Sequence, residues 1–165
     1  MKPRILLAYY SMTGHTRDIA EELRSALQAD VEEIREPHPR RGLRGVLRAL
    51  FDAVLRREPP IGTPRHDPAV YDLLAMGGPV WAGRMASPLR SYARQLADRA
   101  PRVAFFCTEG GRGAEQAFDD LGRLCGKIPE ATLVVDAQHL PPVRHRDTLQ
   151  RFVAKLGADL PAPGH

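Results

Sequence analysis

The sequence predicts a doubly wound parallel α/β sheet with helices on both faces, and three observations carry that expectation. Strand-like and helix-like segments alternate from one end of the chain to the other. The first strand, Arg4–Tyr9, is apolar throughout, as a strand buried on both faces would be. The loops richest in Gly, Ser, Thr and Trp follow the first, third and fourth strands, where such sheets bind ligands.

The elements follow in order. After the first strand, Ile19, Ala20, Leu23, Ala26 and Leu27 recur at helical spacing and predict a helix over Thr16–Ala29. Val31–Ile34 reads as a short second strand, and Pro37-His38-Pro39 breaks the chain. Leu43, Val46, Leu47, Leu50, Phe51, Val54 and Leu55 form one apolar stripe of a helix over Gly42–Arg57, which Pro59-Pro60 ends. Asp72–Met76 is the third strand. Ser87-Pro88 opens the next helix, with Ser expected as N-cap and Pro at the first helical position; it runs to about Ala100. Arg102–Cys107 is the fourth strand. Ala114–Cys125 is a helix closed by Gly126. Ala131–Asp136 is the fifth strand, and Asp147 is expected to cap a last helix over Thr148–Leu156. Residues 1–160 read as one domain, with residues 161–165 as a flexible tail.

Composition narrows the class. A chain of 165 residues suits one domain, and 43% apolar residues is ordinary for a folded protein. Met1-Lys2-Pro3-Arg4 runs into a strand without a signal-peptide layout, and no segment is long enough to span a bilayer. The two cysteines, Cys107 and Cys125, fit no metal spacing and make a poor disulfide framework, so a reduced cytoplasm is the expected compartment. A net charge of +4 does not identify a partner, and no nucleic-acid partner is expected.

Three loops carry the chemistry. The first strand stops at Tyr9, and Tyr10-Ser11-Met12-Thr13-Gly14-His15-Thr16 leads into a helix. A helix start offers unpaired N–H groups and the positive end of a dipole, and hydroxyls beside it can hold a phosphate. The nucleotide-hydrolysing phosphate loop is excluded because His15 and Thr16, not Lys and Ser/Thr, follow Gly14. The Gly-x-Gly-x-x-Gly dinucleotide fingerprint is absent as well. The second loop, Gly77-Gly78-Pro79-Val80-Trp81-Ala82-Gly83, holds the only tryptophan, expected to be partly exposed and able to stack on a heteroaromatic ring. The third, Thr108-Glu109-Gly110-Gly111-Arg112-Gly113, has glycines that let backbone approach a ligand. Cys107 reads as a buried apolar residue; the phosphatase spacing to Arg112 is one residue short. No residue is expected as a catalytic acid, base or nucleophile, and no metal site is expected.

Taken together, Tyr10–Thr16, Gly78–Gly83 and Thr108–Gly111 resemble the flavodoxin family, in its short-chain form. The resemblance implies the strand order 2-1-3-4-5 and noncovalently bound FMN. It implies that Ser11, Met12, Thr13, Gly14, His15 and Thr16 hold the phosphate. Trp81 would stack on or flank the ring, and Gly78, Pro79, Val80, Ala82, Gly83, Thr108, Glu109, Gly110 and Gly111 would line its edges. The implied function is electron transfer with a redox partner protein; the alternative is an NAD(P)H-dependent quinone reductase, as a monomer or homodimer.

Three residues or regions depart from the family pattern. His15 stands where Asn is frequent, which adds pH dependence. Ala82 stands where many flavodoxins have a Gly whose peptide flips on reduction. Its Cβ is expected to disfavour positive φ, and so to stabilise the one-electron reduced flavin less. The chain is basic, with Arg40, Arg41, Arg44, Arg48, Arg56 and Arg57 around the second helix. The expectation is a solvated face opposite the leucine stripe; a docking face for an acidic partner or an anionic membrane is the other reading.

Overall fold

The computed structural model describes residues 2–55, 57–136 and 143–158. Arg56 and the tail 161–165 lie outside the described residues. The strands are β1 (Ile5–Tyr9), β2 (Asp30–Glu33), β3 (Leu73–Trp81), β4 (Arg84–Met85), β5 (Val103–Glu109) and β6 (Thr132–Asp136). The helices are α1 (His15–Leu27), α2 (Gly42–Val54), α3 (Ser87–Leu96), α4 (Ala114–Cys125) and α5 (Val143–Ala158). The main sheet has the order β2-β1-β3-β5-β6, and all its pairings are parallel. With β4 set aside, this is the expected 2-1-3-4-5 order.

Strand alternation divides the core. Leu6, Ala8, Leu74, Met76, Phe105 and Cys107 face one side and pack with α3 and α4. Ile5, Leu7, Leu73, Ala75, Ala104 and Phe106 face the other and pack with α1 and α5. β1 is buried along its whole length, which accounts for its unbroken apolar run. β3 and β5 approach so closely at Gly77 that a Cβ there would stand 2.1 Å from the Phe106 ring.

Four local expectations are corrected. The segment expected as a loop over 77–86 is largely strand: β3 continues to Trp81 and turns into β4, pairing Val80 with Met85 and Trp81 with Arg84. Ala86, not Ser87, is the N-cap of α3; Ser87 is the first helical residue, and its Oγ accepts a hydrogen bond from Arg40 at 3.2 Å. α5 begins at Val143, so Asp147 lies within the helix instead of capping it.

The fourth correction concerns α2. Its apolar stripe faces solvent: Leu43 is 76% exposed, Leu47 58% and Phe51 54%, with Val46, Leu50 and Leu55 also exposed. Among the α2 residues whose burial is described, the buried positions are Gly45, Ala49 and Asp52. Charge holds this face down. Arg40 is fully buried between Glu36 at 2.8 Å and Asp52 at 2.7 Å. Burial alone would lower the Arg40 pKa, but these two carboxylates raise it beyond its ordinary value. The expected solvated arginine face is therefore incomplete, because Arg40 is interior.

Candidate functional site

The carboxyl ends of β1, β3 and β5 bring the three loops together where strand order reverses. Hydrogen bonds join loops one and two: the Tyr10 N–H donates to the Gly77 carbonyl at 3.0 Å. The Tyr10 ring meets Trp81 edge to face, with centroids 5.7 Å apart. Loops one and three are joined by a buried hydroxyl pair, Thr16 Oγ1 and Thr108 Oγ1, 2.9 Å apart. Loops two and three touch at Gly113, where a Cβ would lie 2.8 Å from the Gly83 Cα. Gly113 also has φ +113°, so two separate constraints require glycine there.

The two helices that start at this edge differ. α4 is already supplied with an anion: the Glu109 carboxylate accepts the Ala114 N–H at 3.1 Å. α1 is open. Its N-cap is Gly14, at φ 102°, and among the described residues no side chain caps it. The first N–H to find an internal acceptor is that of Asp18, on the Gly14 carbonyl at 3.0 Å. The N–H groups of His15, Thr16 and Arg17 therefore project from the helix start. Ser11 Oγ accepts the Gly14 N–H at 3.0 Å, which shapes the loop and leaves the Ser11 hydroxyl proton free to donate. Thr13 and His15 are exposed beside it, with Met12 half-buried. The arrangement can bind an anion with main-chain N–H groups and hydroxyls.

The remaining candidate residues separate by burial. Thr16 and Thr108 are engaged with one another, so their hydroxyls first tie the loops together. Glu109 serves α4. Gly110 and Gly111 are exposed, Pro79, Val80 and Gly83 are half-buried, and Gly78 is buried against Tyr10 and Leu89. Trp81 is not the partly exposed platform expected: it is only 9% exposed, with the Arg40 guanidinium 5.2 Å from its ring centroid.

Ala82 overturns a second expectation. It already has φ +50°, and Gly83 follows at φ +73°. Two positive φ values in a two-residue hairpin loop are what a type I′ turn requires, and that turn suits the twist of β3 and β4. The Cβ therefore does not keep the backbone out of the left-handed region, and gives no reason to expect a poorly stabilised one-electron state.

Sequence reading missed the charged network behind loop one. The Tyr10 hydroxyl donates to Glu36 at 3.1 Å, and Arg40 Nε donates to the same carboxylate at 2.9 Å. Burial, followed by the Glu36 charge, raises the Tyr10 pKa and keeps the phenol neutral. The i, i+4 spacing of Glu36 and Arg40 was the available signal. A cleft of about 500 Å³ opens beside this network, between Ser11, Met12 and the chain from Glu33 to Arg41. Cys107 is fully buried, and burial pushes its thiol up to about 12, so it is no nucleophile. No three-residue metal cluster of His, Cys, Asp or Glu occurs among the described residues.

Comparison with solved structures decides the architecture. A flavoprotein from Lactobacillus acidophilus, crystallised with FMN, is similar at TM-score 0.73 and 20% identity, covering 91% of this chain and 98% of that one. The chain has the flavodoxin-like fold. A flavodoxin from Streptococcus pneumonia is similar at TM-score 0.62 and 17% identity, covering 94% of this chain and 98% of that one. Flavodoxin 2 from Bacillus cereus gives 0.59 and 17%, covering 94% and 99%. No protein-family model and no curated protein matches the sequence. Within the flavodoxin-like fold, the open start of α1 and the β3–β4 and β5–α4 loops occupy the switch point of the sheet.

Proposed function

We propose that this chain binds FMN and acts as an electron-transfer flavoprotein. The observation that carries the reading is the contrast between two helix starts at one sheet edge: Glu109 fills that of α4, whereas α1 stands open beside Ser11 and Thr13. The residues fit the group. The N–H groups of His15, Thr16 and Arg17 and the hydroxyls of Ser11 and Thr13 would hold its phosphate. The main chain at Val80–Gly83 and Gly110–Gly111 would meet the ring edges, with Trp81 as a buried support. Bound flavin would supply the redox chemistry; the protein binds, orients and shields it. The similar flavoprotein that was crystallised with FMN supports this choice of ligand.

The test is an absorption spectrum of the purified chain during stepwise reduction. Flavin bands that bleach on reduction and return with a protein electron acceptor agree with the proposal. A colourless chain that cannot be reconstituted with FMN contradicts it. Steady oxidation of NADH or NADPH with a quinone, with no second protein present, would identify a quinone reductase in place of a carrier.

A further inference from the structure

The apolar face of α2 is a feature of the surface that the site does not use. Leu43, Val46, Leu47, Leu50, Phe51 and Leu55 are all exposed on it, at 44% to 76%. At helical spacing they cover about half of the circumference. Scattered exposed apolar side chains are ordinary; five on one short helix, with Leu55 just past its end, are a contiguous patch. Packing does not account for their apolar character, since Gly45, Ala49 and Asp52 face the protein.

The charges around the stripe select its occupant. Arg41 and Arg44 are exposed; Arg48 is 42% exposed, with its guanidinium also 3.9 Å from the Glu36 and Asp52 carboxylates. At helical spacing Arg44 and Arg48 lie along one edge of the stripe, between it and the buried face. Arg57 lies over the Phe51 ring at 4.8 Å. The only carboxylate on α2 is Asp52, which is buried against Arg40. The exposed side of the helix is thus apolar and cationic, with no acidic residue of its own to meet the arginines of a second copy. An apolar stripe edged by arginines is the pattern of a helix lying in the plane of an anionic bilayer, its apolar side chains in the acyl boundary and its guanidinium groups among the headgroup phosphates.

We propose that α2 is a peripheral membrane-docking helix for anionic lipid surfaces. The firm attachment of the helix base suits that role: Arg40 ties it to Glu36 and Asp52, so membrane contact presents a preformed helix and orders nothing further. Because Arg40 also lies against Trp81, docking sets the loop edge of the sheet close to the bilayer. The proposal does not depend on the flavin reading.

The experiment is sedimentation of the full chain with phosphatidylcholine vesicles, with and without phosphatidylglycerol, at low and high salt. Expected is retention on the vesicles containing phosphatidylglycerol that weakens with salt. The double variant Leu47→Glu/Phe51→Glu should reduce it about tenfold or more, and Arg44→Glu should reduce it less. All three substitutions are at exposed positions, and circular dichroism of both variants checks that they fold. Absence of retention at low salt, equal retention on pure phosphatidylcholine, or retention unchanged by Leu47→Glu/Phe51→Glu overturns the proposal. So does a wild-type dimer in sedimentation velocity that the double variant converts to monomer without lipid binding, which would make the face a contact between copies.

Discussion

Ala82 carries a local strain that its neighbours impose. A non-glycine residue at φ +50° is held there by the tight β3–β4 hairpin, with Gly83 taking the second positive φ. Ala82→Gly should therefore raise unfolding stability by about 1 kcal/mol, the left-handed cost of a Cβ less the entropy of glycine, read from a urea titration. An unchanged or lower midpoint would mean that the turn is relaxed. Thr16 gives the opposite case. Its hydroxyl is the buried partner of Thr108, so Thr16→Val leaves the Thr108 hydroxyl unpaired in the interior. The expected loss is about 1–3 kcal/mol. The sequence marked Ala82 as a loop residue and Thr16 as a residue of the helix start, but neither role was visible there. A positive φ depends on how two strands are joined, and a hydroxyl pair ninety-two positions apart depends on the sheet.

At the scale of elements, the five α-helices of the described residues were each legible in the sequence, α1 and α2 through periodicity and α3 through Ser87-Pro88, and the α4 boundaries agree at both ends. Periodicity does not say which face is inside. The α2 stripe has the spacing of a core-facing helix, yet the stripe is exposed and the opposite face is buried. The reason lies outside the helix: Arg40 and Glu36, from the preceding chain, join Asp52 in an ion cluster that favours burial of the Asp52 side. Arg40→Met would remove the buried cation between two interior carboxylates and leave them only the partly exposed Arg48, 3.9 Å from each. The expected cost is about 3–5 kcal/mol in urea unfolding, and a change below 1 kcal/mol would show that the cluster does not anchor the helix. The hairpin was missed for a related reason: Gly77-Gly78-Pro79 reads as punctuation, whereas Gly77 is a strand residue whose missing side chain makes room for Phe106.

For the whole molecule, the fold was legible because doubly wound sheets announce themselves through alternation and a central apolar strand, and β1, β3 and β5 obey both rules. The site was legible as far as its loops, since strand ends fix their location; which helix start is free required the position of the Glu109 carboxylate. The core also sets an alkaline limit. Burial raises the Cys107 and Cys125 thiols from 9.0 to about 12, and raises the Tyr10 and Tyr92 phenols too. The folded chain keeps protons that the unfolded chain releases, so this stability is intact below pH 9.0 and is lost as pH rises towards about 12. Urea midpoints measured on both sides of pH 9.0 should fall on the alkaline side; a rise there would reverse the sign of the argument.

The central claim is that the open start of α1 holds the phosphate of FMN. It is tested most directly by titrating the flavin-free chain and its Thr13→Ala variant into FMN and following flavin fluorescence. The account predicts saturable quenching by the unmodified chain, and binding weaker by about tenfold or more in the variant, since one hydrogen bond to a charged group is removed. The absence of saturable quenching by the unmodified chain, or identical affinity in Thr13→Ala, would contradict it.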